Sequence, residues 1–232
     1  MDIARTGEGE ALVVAVHGIQ GTRSVWMPVA RKLAADATFV LPNLRGRGGA
    51  ARGSSVADYG LDAFADDLSD AINLEVGERS YWLAGWSLGV SVALEYLSRP
   101  EARAPEGVVL ISGTSSIREV RWLGAEDGEP LMREIADRER RLELREAADH
   151  DAVARTWAAV RNSDQGAILA SLDIPALILH GADDTDCPSS CARSLAEKIR
   201  DADLRIFPGA GHSLPVTHTD AVANAMRAFL NR

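Results

Sequence analysis

Six short apolar runs place the strongest constraint on how this chain can fold. They are "ALVVAVHG" (11–18), "TFVLPNL" (38–44), "YWLAG" (81–85), "GVVLISG" (107–113), "ALILHG" (176–181) and "LRIFPG" (204–209). Most of them are continuously apolar rather than alternating, which is typical of strands that are buried on both faces of a parallel sheet. The sequence therefore predicts a mostly parallel central sheet.

Helical patterns lie between the apolar runs. They cover residues 25–36, 60–76, 88–99, 189–201 and 219–232. Strands that alternate with helices indicate an α/β fold with helices on both faces of the sheet. A chain of 232 residues, 46% of them hydrophobic, is large enough to bury one sizeable core.

One long segment interrupts this alternation. Residues 114–171 contain the charged helical sequence "EPLMREIADRERRLELREAADHDAVARTWAAV" and no convincing strand. We expect an α/β core made of residues 1–113 and 172–232, with 114–171 inserted as a small helical lid over the sheet.

The charge balance excludes several classes of partner. The formal net charge is −9, whereas a nucleic-acid binder normally carries a basic face. The N-terminus "MDIARTGEGEALVV" lacks the basic start of a signal peptide, and no apolar run approaches the roughly 18–20 residues that span a bilayer. We therefore expect a cytoplasmic protein with neither a nucleic-acid nor a membrane partner.

Metal and cofactor signatures are absent from the sequence. Cys187 and Cys191 lie four residues apart, which suits neither a disulfide framework nor a four-ligand zinc site. The sequence also has no dinucleotide fingerprint and no phosphate-binding loop. We expect no metal and no organic cofactor.

The motif "GWSLG" (85–89) carries the clearest chemical signal. It is a G-x-S-x-G pattern between a predicted strand and a predicted helix, the context in which that pattern forms a nucleophile elbow. Ser87 must then adopt a strained turn, and the small neighbours Gly85 and Gly89 permit it. Ser87 is the candidate nucleophile.

A serine nucleophile needs a base and a group that orients the base. Of the five histidines, His212 lies in the glycine-rich loop "FPGAGHSLP" directly after the last predicted strand. The stretch "HGADDTDCP" offers Asp183, Asp184 and Asp186 just past another strand. The residues alone leave these three carboxylates open.

Four motifs together resemble the α/β-hydrolase superfamily, in matching order, over about residues 8 to 232. They are "VHGIQGTRSVW", "LPNLRGRGGA", "GWSLG" and "HGADDTDCP…PGAGHSLP". The resemblance implies the α/β-hydrolase fold, with the helical lid inserted after the sixth strand. The form "GWSLG" is also similar to that of esterases resembling pimeloyl-carrier-protein methyl esterase.

The resemblance also implies roles for individual residues. The orienting acid of the superfamily usually lies three residues after the glycine of the H-G pair and four before a proline, which here is Asp184. The backbone N–H groups of Leu88 and Ile19 would form the oxyanion hole, with Gln20 as the alternative to Ile19. The catalytic set is then Ser87, Asp184 and His212.

The tryptophans suggest where an acyl group would bind. Trp26, Trp86, Trp122 and Trp157 could line an apolar pocket between sheet and lid, with Gln20 beside it. We expect a small-molecule acyl substrate and a monomer or homodimer.

The predicted function is hydrolysis of a small or medium carboxylic ester, thioester or lactone through an acyl-enzyme at Ser87. Two alternatives remain. The same triad can serve carbon–carbon bond hydrolysis, lyase or perhydrolase chemistry, or the fold can act as a ligand receptor.

Overall fold

The computed structural model describes residues 1–232 and is built around a seven-stranded sheet. The strands are β1 (Asp2–Thr6), β2 (Ala11–Val16), β3 (Ala37–Asn43), β4 (Trp82–Trp86), β5 (Val108–Ile111), β6 (Ala176–Gly181) and β7 (Ala202–Phe207). Their order in the sheet is β1-β3-β2-β4-β5-β6-β7. Only β1 is antiparallel to its neighbour, so the predicted mostly parallel sheet is confirmed.

Helices cover both faces of the sheet. They are α1 (Met27–Lys32), α2 (Leu61–Glu75), α3 (Leu88–Leu97), α4 (Gly128–Arg141), α5 (His150–Val160), α6 (Ser189–Lys198), α7 (Leu214–Thr217) and α8 (Thr219–Leu230). Side chains of α1 and α8 pack into one core, and those of α2, α3 and α6 pack into the other. None of the helices combines the length and the apolarity needed to cross a bilayer.

Strand β2 shows why the apolar runs do not alternate with polar residues. Leu12, Val14 and Val16 point into the core with α2 and α3, whereas Val13 and Ala15 point into the core with α1 and α8. Because successive side chains of a strand face opposite sides, both sets must be apolar when both faces are covered. The predicted α/β class, a mostly parallel sheet with helices on both faces, is confirmed.

The N-terminus corrects one detail of the prediction. A single strand, β1, precedes β2 and pairs antiparallel with β3 at the edge of the sheet. The helical insertion consequently follows the fifth strand of this chain, β5, and not the sixth.

The insertion between β5 and β6 is made of helices and turns. It contains α4 and α5, with short 3-10 turns at Ile117–Glu119 and Gly166–Ser171. Its only β-type contacts are isolated bridges, of which one joins Ala147 to Gly21 in the loop after β2. That contact brings the insertion against the carboxyl end of the sheet. The action of 114–171 as a lid stays a prediction.

Candidate active site

The turn between β4 and α3 holds Ser87 in a strained conformation. Its φ of 57° and ψ of −120° lie outside the regions that L-residues usually adopt. A Cβ atom at Gly85 would lie 2.4 Å from the carbonyl oxygen of Gly89, and one at Gly89 would lie 2.4 Å from that of Val16. Larger side chains at either glycine would push α3 off the sheet, so the motif is required by the packing of the elbow.

Three side chains from the carboxyl ends of three strands form one hydrogen-bonded chain. Ser87 follows β4, Asp184 follows β6 and His212 follows β7. The Oγ of Ser87 lies 2.8 Å from Nε2 of His212, whose Nδ1 lies 2.9 Å from Oδ2 of Asp184. All three residues are buried. The arrangement presents a hydroxyl to a base that a carboxylate orients, which is the geometry of nucleophilic catalysis.

The contacts in the structure show which of the three candidate carboxylates is bonded to the histidine. Asp184 contacts His212, and its Oδ1 accepts hydrogen bonds from the backbone N–H groups of Asp186 and Cys187, each at 2.9 Å. Asp183 is exposed. Asp186 points to the other side of the imidazole, with its Oδ2 3.8 Å from Nε2. Only Asp184 is bonded to Nδ1.

The two backbone groups predicted for the oxyanion hole lie in the loop after β2 and at the start of α3. The N–H of Ile19 has no acceptor within the protein. Leu88 is the first residue of α3, where a helical N–H has no carbonyl one turn earlier. Both donors are therefore free to bind an oxygen atom of a ligand.

A buried arginine anchors the loop that carries Ile19. Nη2 of Arg47 donates to the carbonyl oxygen of Ile19 at 2.6 Å and to Oγ1 of Thr156 in α5 at 3.1 Å. Burial lowers the pKa of Arg47 to about 10, which leaves it cationic at neutral pH. Arg47 thus ties the Ile19 loop to the insertion.

His17 supports the same loop as a neutral imidazole. Its Nε2 accepts from the N–H of Leu44 at 3.1 Å, so its Nδ1 carries the proton and donates to the carbonyl of Gly18 at 2.9 Å. Burial, with the nearby charge of Arg47, lowers the pKa of His17 from 6.5 to about 3.

This depressed pKa predicts a loss of stability in mild acid. Below pH 6.5 the unfolded chain takes up the proton of His17 while the folded protein does not, so stability is complete above that pH and is lost as the pH falls. The slope contributed by His17 is about 1.4 kcal/mol per pH unit, or about 2 kcal/mol by pH 5. Urea unfolding at pH 5 and pH 7 should show a smaller pH effect in His17→Gln than in the wild type. Equal pH effects in the two proteins would contradict the assignment.

Two of the predicted substrate-binding tryptophans have other positions. Nε1 of Trp26 donates to the carbonyl of Val16 at 3.0 Å, and its side chain lies in the core with α1 and α8, whereas α4 and α5 of the insertion pack into the other core. The structure therefore does not place Trp26 in a pocket between sheet and lid. Trp86 lies in the same core, and its Nε1 donates to the carbonyl of His212 at 2.9 Å. Its position indicates support of the histidine loop, and its contact with an acyl group stays a prediction.

Trp122 and Trp157 belong to the insertion, and Trp157 lies in α5. Their ring centroids are 6.3 Å apart, in the apolar cluster that also contains Ile19 and Leu88. Nε1 of Trp122 lies 3.3 Å from Sγ of the buried Cys187. Burial raises the pKa of the Cys187 thiol.

No group of three or more His, Cys, Asp or Glu side chains is arranged to hold a metal ion.

Sequence reasoning missed one residue beside the catalytic histidine, Arg138 of α4. Its Nη2 lies 3.5 Å from Nε2 of His212. A signal for it was present, because Leu131, Ile135 and Arg138 lie at helical spacing and all three are buried. A charged residue within the apolar stripe of an amphipathic helix points to a buried cation.

Gln20 connects this arginine to the loop after β2. Its Oε1 accepts from Nη1 of Arg138 at 2.7 Å, and its Nε2 donates to the carbonyl of Ile135 at 2.8 Å. Gln20 therefore lies under α4 near the catalytic residues, and its role in binding a substrate stays a prediction.

Comparison with known proteins identifies the family of the chain. The model of the alpha/beta hydrolase family matches residues 13–225. The 2-succinyl-6-hydroxy-2,4-cyclohexadiene-1-carboxylate synthase of Serratia proteamaculans is 27% identical over 256 residues, covering 96% of this chain and 95% of the relative. A pimeloyl-[acyl-carrier protein] methyl ester esterase of Nitrosomonas europaea is 26% identical over 240 residues, covering 91% of this chain and 92% of the relative.

Among solved structures, a thermophilic esterase from Thermogutta terrifontis matches with a TM-score of 0.79 at 24% identity, covering 99% of this chain and 92% of that chain. The fold of the two proteins is therefore the same. Because the family model also spans most of the sequence, the chain belongs to the alpha/beta hydrolase family, as its four motifs predicted.

Proposed function

We propose that the protein is a cofactor-free serine hydrolase that cleaves small or medium carboxylic esters, or the related thioesters and lactones. The observation that carries this proposal is the bonded chain of Ser87, His212 and Asp184 at the elbow. The two donor–acceptor distances in this chain, 2.8 Å from Ser87 to His212 and 2.9 Å from His212 to Asp184, are short enough for proton transfer.

The chemistry follows from these contacts. Nε2 of His212 accepts the proton of Ser87 as Oγ attacks the carbonyl carbon of the ester, and the alkoxide leaves with that proton as an alcohol. Water then attacks the acyl carbon as the same nitrogen accepts its proton, the bond between that carbon and Oγ breaks, and Oγ takes the proton back from Nε2 as the acid leaves. Asp184 holds the imidazole with its proton on Nδ1 throughout both steps.

The free backbone N–H groups of Ile19 and Leu88 would stabilise the negative charge that develops on the substrate oxygen. The carbonyl oxygen becomes an anion in the tetrahedral intermediate, and a fixed backbone donor aimed at it contributes about 3 kcal/mol to the lowering of the barrier. Ile19 and Leu88 would act through their backbones only.

The insertion would set the preference for acyl length. Trp122 and Trp157 of the insertion share an apolar cluster with Ile19 and Leu88, and each methylene buried against such surface contributes about 0.8 kcal/mol, or up to about fourfold in kcat/KM. We therefore propose that 114–171 acts as a lid that limits the length of the acyl chain.

A series of p-nitrophenyl esters from two to twelve acyl carbons tests the proposal. The kcat/KM should rise with length, reach a maximum and then fall, and EDTA should leave it unchanged. Hydrolysis of thioesters and lactones is measured beside it. Tight binding of a small molecule without turnover of any of these compounds would instead favour a ligand receptor.

A second candidate reaction has support from one relative. The Serratia proteamaculans protein is named a synthase and not a hydrolase, although it covers this chain as fully as the esterase does. Carbon–carbon bond cleavage or a lyase reaction by the same triad is therefore the alternative. It would be favoured by turnover of a β-diketone with no turnover of esters.

A further inference from the structure

Arg138 is a buried cation at the reacting atoms. Only 3% of the residue is exposed, and its Nη2 lies 3.5 Å from the histidine nitrogen that exchanges protons with Ser87. Leu131 and Ile135 precede it on the same face of α4, so an apolar residue would continue the stripe without the cost of burying a charge.

The guanidinium group is only partly satisfied. Nη1 donates to Gln20 and Nη2 to Oδ2 of Asp186 at 2.8 Å, but the buried Nε has no partner. Buried donors are nearly always bonded, so an unpaired one requires an explanation. A ligand that accepts a hydrogen bond at this position would supply it.

Arg138 has only a share of its carboxylate partner. The Oδ1 of Asp186 also accepts from Nη2 of Arg141 at 2.7 Å, so two guanidinium groups contact this one carboxylate. The next carboxylate, Asp184, is bonded to Nδ1 of His212. Among the carboxylates of α4, Asp137 pairs with Arg140 and Glu139 with His150.

We propose that Arg138 binds a carboxylate carried by the substrate, close to the bond that is cleaved. This inference rests on the proposed hydrolase function and names its substrate class. A carboxylate oxygen would accept from Nε, and the planar fork of the guanidinium suits that group.

The distances limit where this carboxylate can lie. Ser87 Oγ is 2.8 Å and Arg138 Nη2 is 3.5 Å from the same nitrogen of His212. A carboxylate held by Arg138 is therefore only a few bonds from the carbon that Ser87 attacks. Arg138 faces the nitrogen that protonates the leaving group, so the carboxylate can belong to the acyl side or to the alcohol side.

Two matched pairs of esters separate these sources. On the acyl side, monomethyl succinate is compared with methyl 4-methylpentanoate. On the alcohol side, carboxymethyl acetate is compared with isobutyl acetate. In each pair an isopropyl group replaces the carboxylate with nearly the same shape, and kcat/KM is measured by titrating the acid released.

We expect the wild type to prefer the carboxylate in at least one pair by tenfold or more. Arg138→Met should reduce that preference at least tenfold, and Arg138→Lys, which keeps the charge and loses the fork, should give an intermediate value. The double variant Arg138→Met/Asp186→Asn should behave as Arg138→Met, because it also removes the charge of the carboxylate that has lost one of its two arginine partners. Arg140→Met, an exposed site on the same helix, is the matched control and should keep the preference.

The outcomes distinguish this inference from the function it rests on. Turnover of the neutral esters with no preference for the carboxylate in either pair would overturn it and leave ester hydrolysis intact. An equal loss on both members of a pair in Arg138→Met and the double variant would also overturn it, since a merely structural arginine predicts that result. Absence of turnover on all four esters would overturn both proposals.

Discussion

Replacing Ser87 with alanine should lower kcat on the best p-nitrophenyl ester by on the order of 10⁴- to 10⁶-fold. The variant loses the Oγ that lies 2.8 Å from Nε2 of His212 and therefore cannot form an acyl-enzyme. The backbone donors of Ile19 and Leu88 remain, so a small residual rate above the uncatalysed reaction should persist. Steady-state kinetics at saturating ester measures the effect.

Ser91→Ala is the matched control for this variant. Ser91 lies one turn further along α3 and is equally buried, but its Oγ donates to the carbonyl of Thr114 at 2.9 Å, away from the triad. It should keep most of the activity. A fluorophosphonate probe should add to the mass of the wild type and of Ser91→Ala and not to that of Ser87→Ala. Full labelling of Ser87→Ala with activity retained would show that another residue is the nucleophile.

Asp184→Asn should lower kcat by about 10⁴-fold while the protein stays folded. The amide that replaces the carboxylate would present an N–H to Nδ1 of His212, now 2.9 Å from Oδ2, and so place the imidazole proton on Nε2. That nitrogen could then no longer accept the proton of Ser87. Kinetics and thermal unfolding of the purified variant test both parts of this expectation.

Asp183→Asn provides the control from the adjacent position. It removes the same charge from the same loop, but Asp183 is exposed, so kcat should stay close to that of the wild type. A large loss in Asp183→Asn with little loss in Asp184→Asn would move the orienting role by one residue and contradict the geometry.

The sequence predicted the sheet well because its strands are buried on both faces. The run 176–181 coincides with β6 in full, since each of its residues is buried and glycine ends it. The run 107–113 is longer than β5 (Val108–Ile111), because Ser112 adopts a φ of 49° that ends the strand. Apolarity alone does not reveal such a turn.

The edge strand β1 and the partners of Arg138 were beyond the same reasoning. The sequence "DIART" is half-buried and mixed in polarity, and only its antiparallel pairing with β3 makes it a strand. Arg138 is buried because Gln20 and Asp186 meet it from 118 and 48 residues away in the sequence. The helical spacing of α4 can indicate that Arg138 is buried, but it cannot identify these distant partners. The elbow around Ser87, in contrast, depends on neighbours in sequence.

The closure of the site has a kinetic consequence. Ser87 is 1% exposed and His212 is 4% exposed, and bonds from Gln20 to Ile135 and Ala148 hold the insertion over them. On the proposed action of 114–171 as a lid, a substrate would reach Oγ only in a population of molecules in which these bonds are broken. Apparent affinity is the intrinsic affinity scaled by that open fraction, so KM reports the stability of the closed form together with the fit of the substrate. Substitutions that loosen the Gln20 contacts would therefore make the enzyme bind its substrates more tightly without any new contact to them.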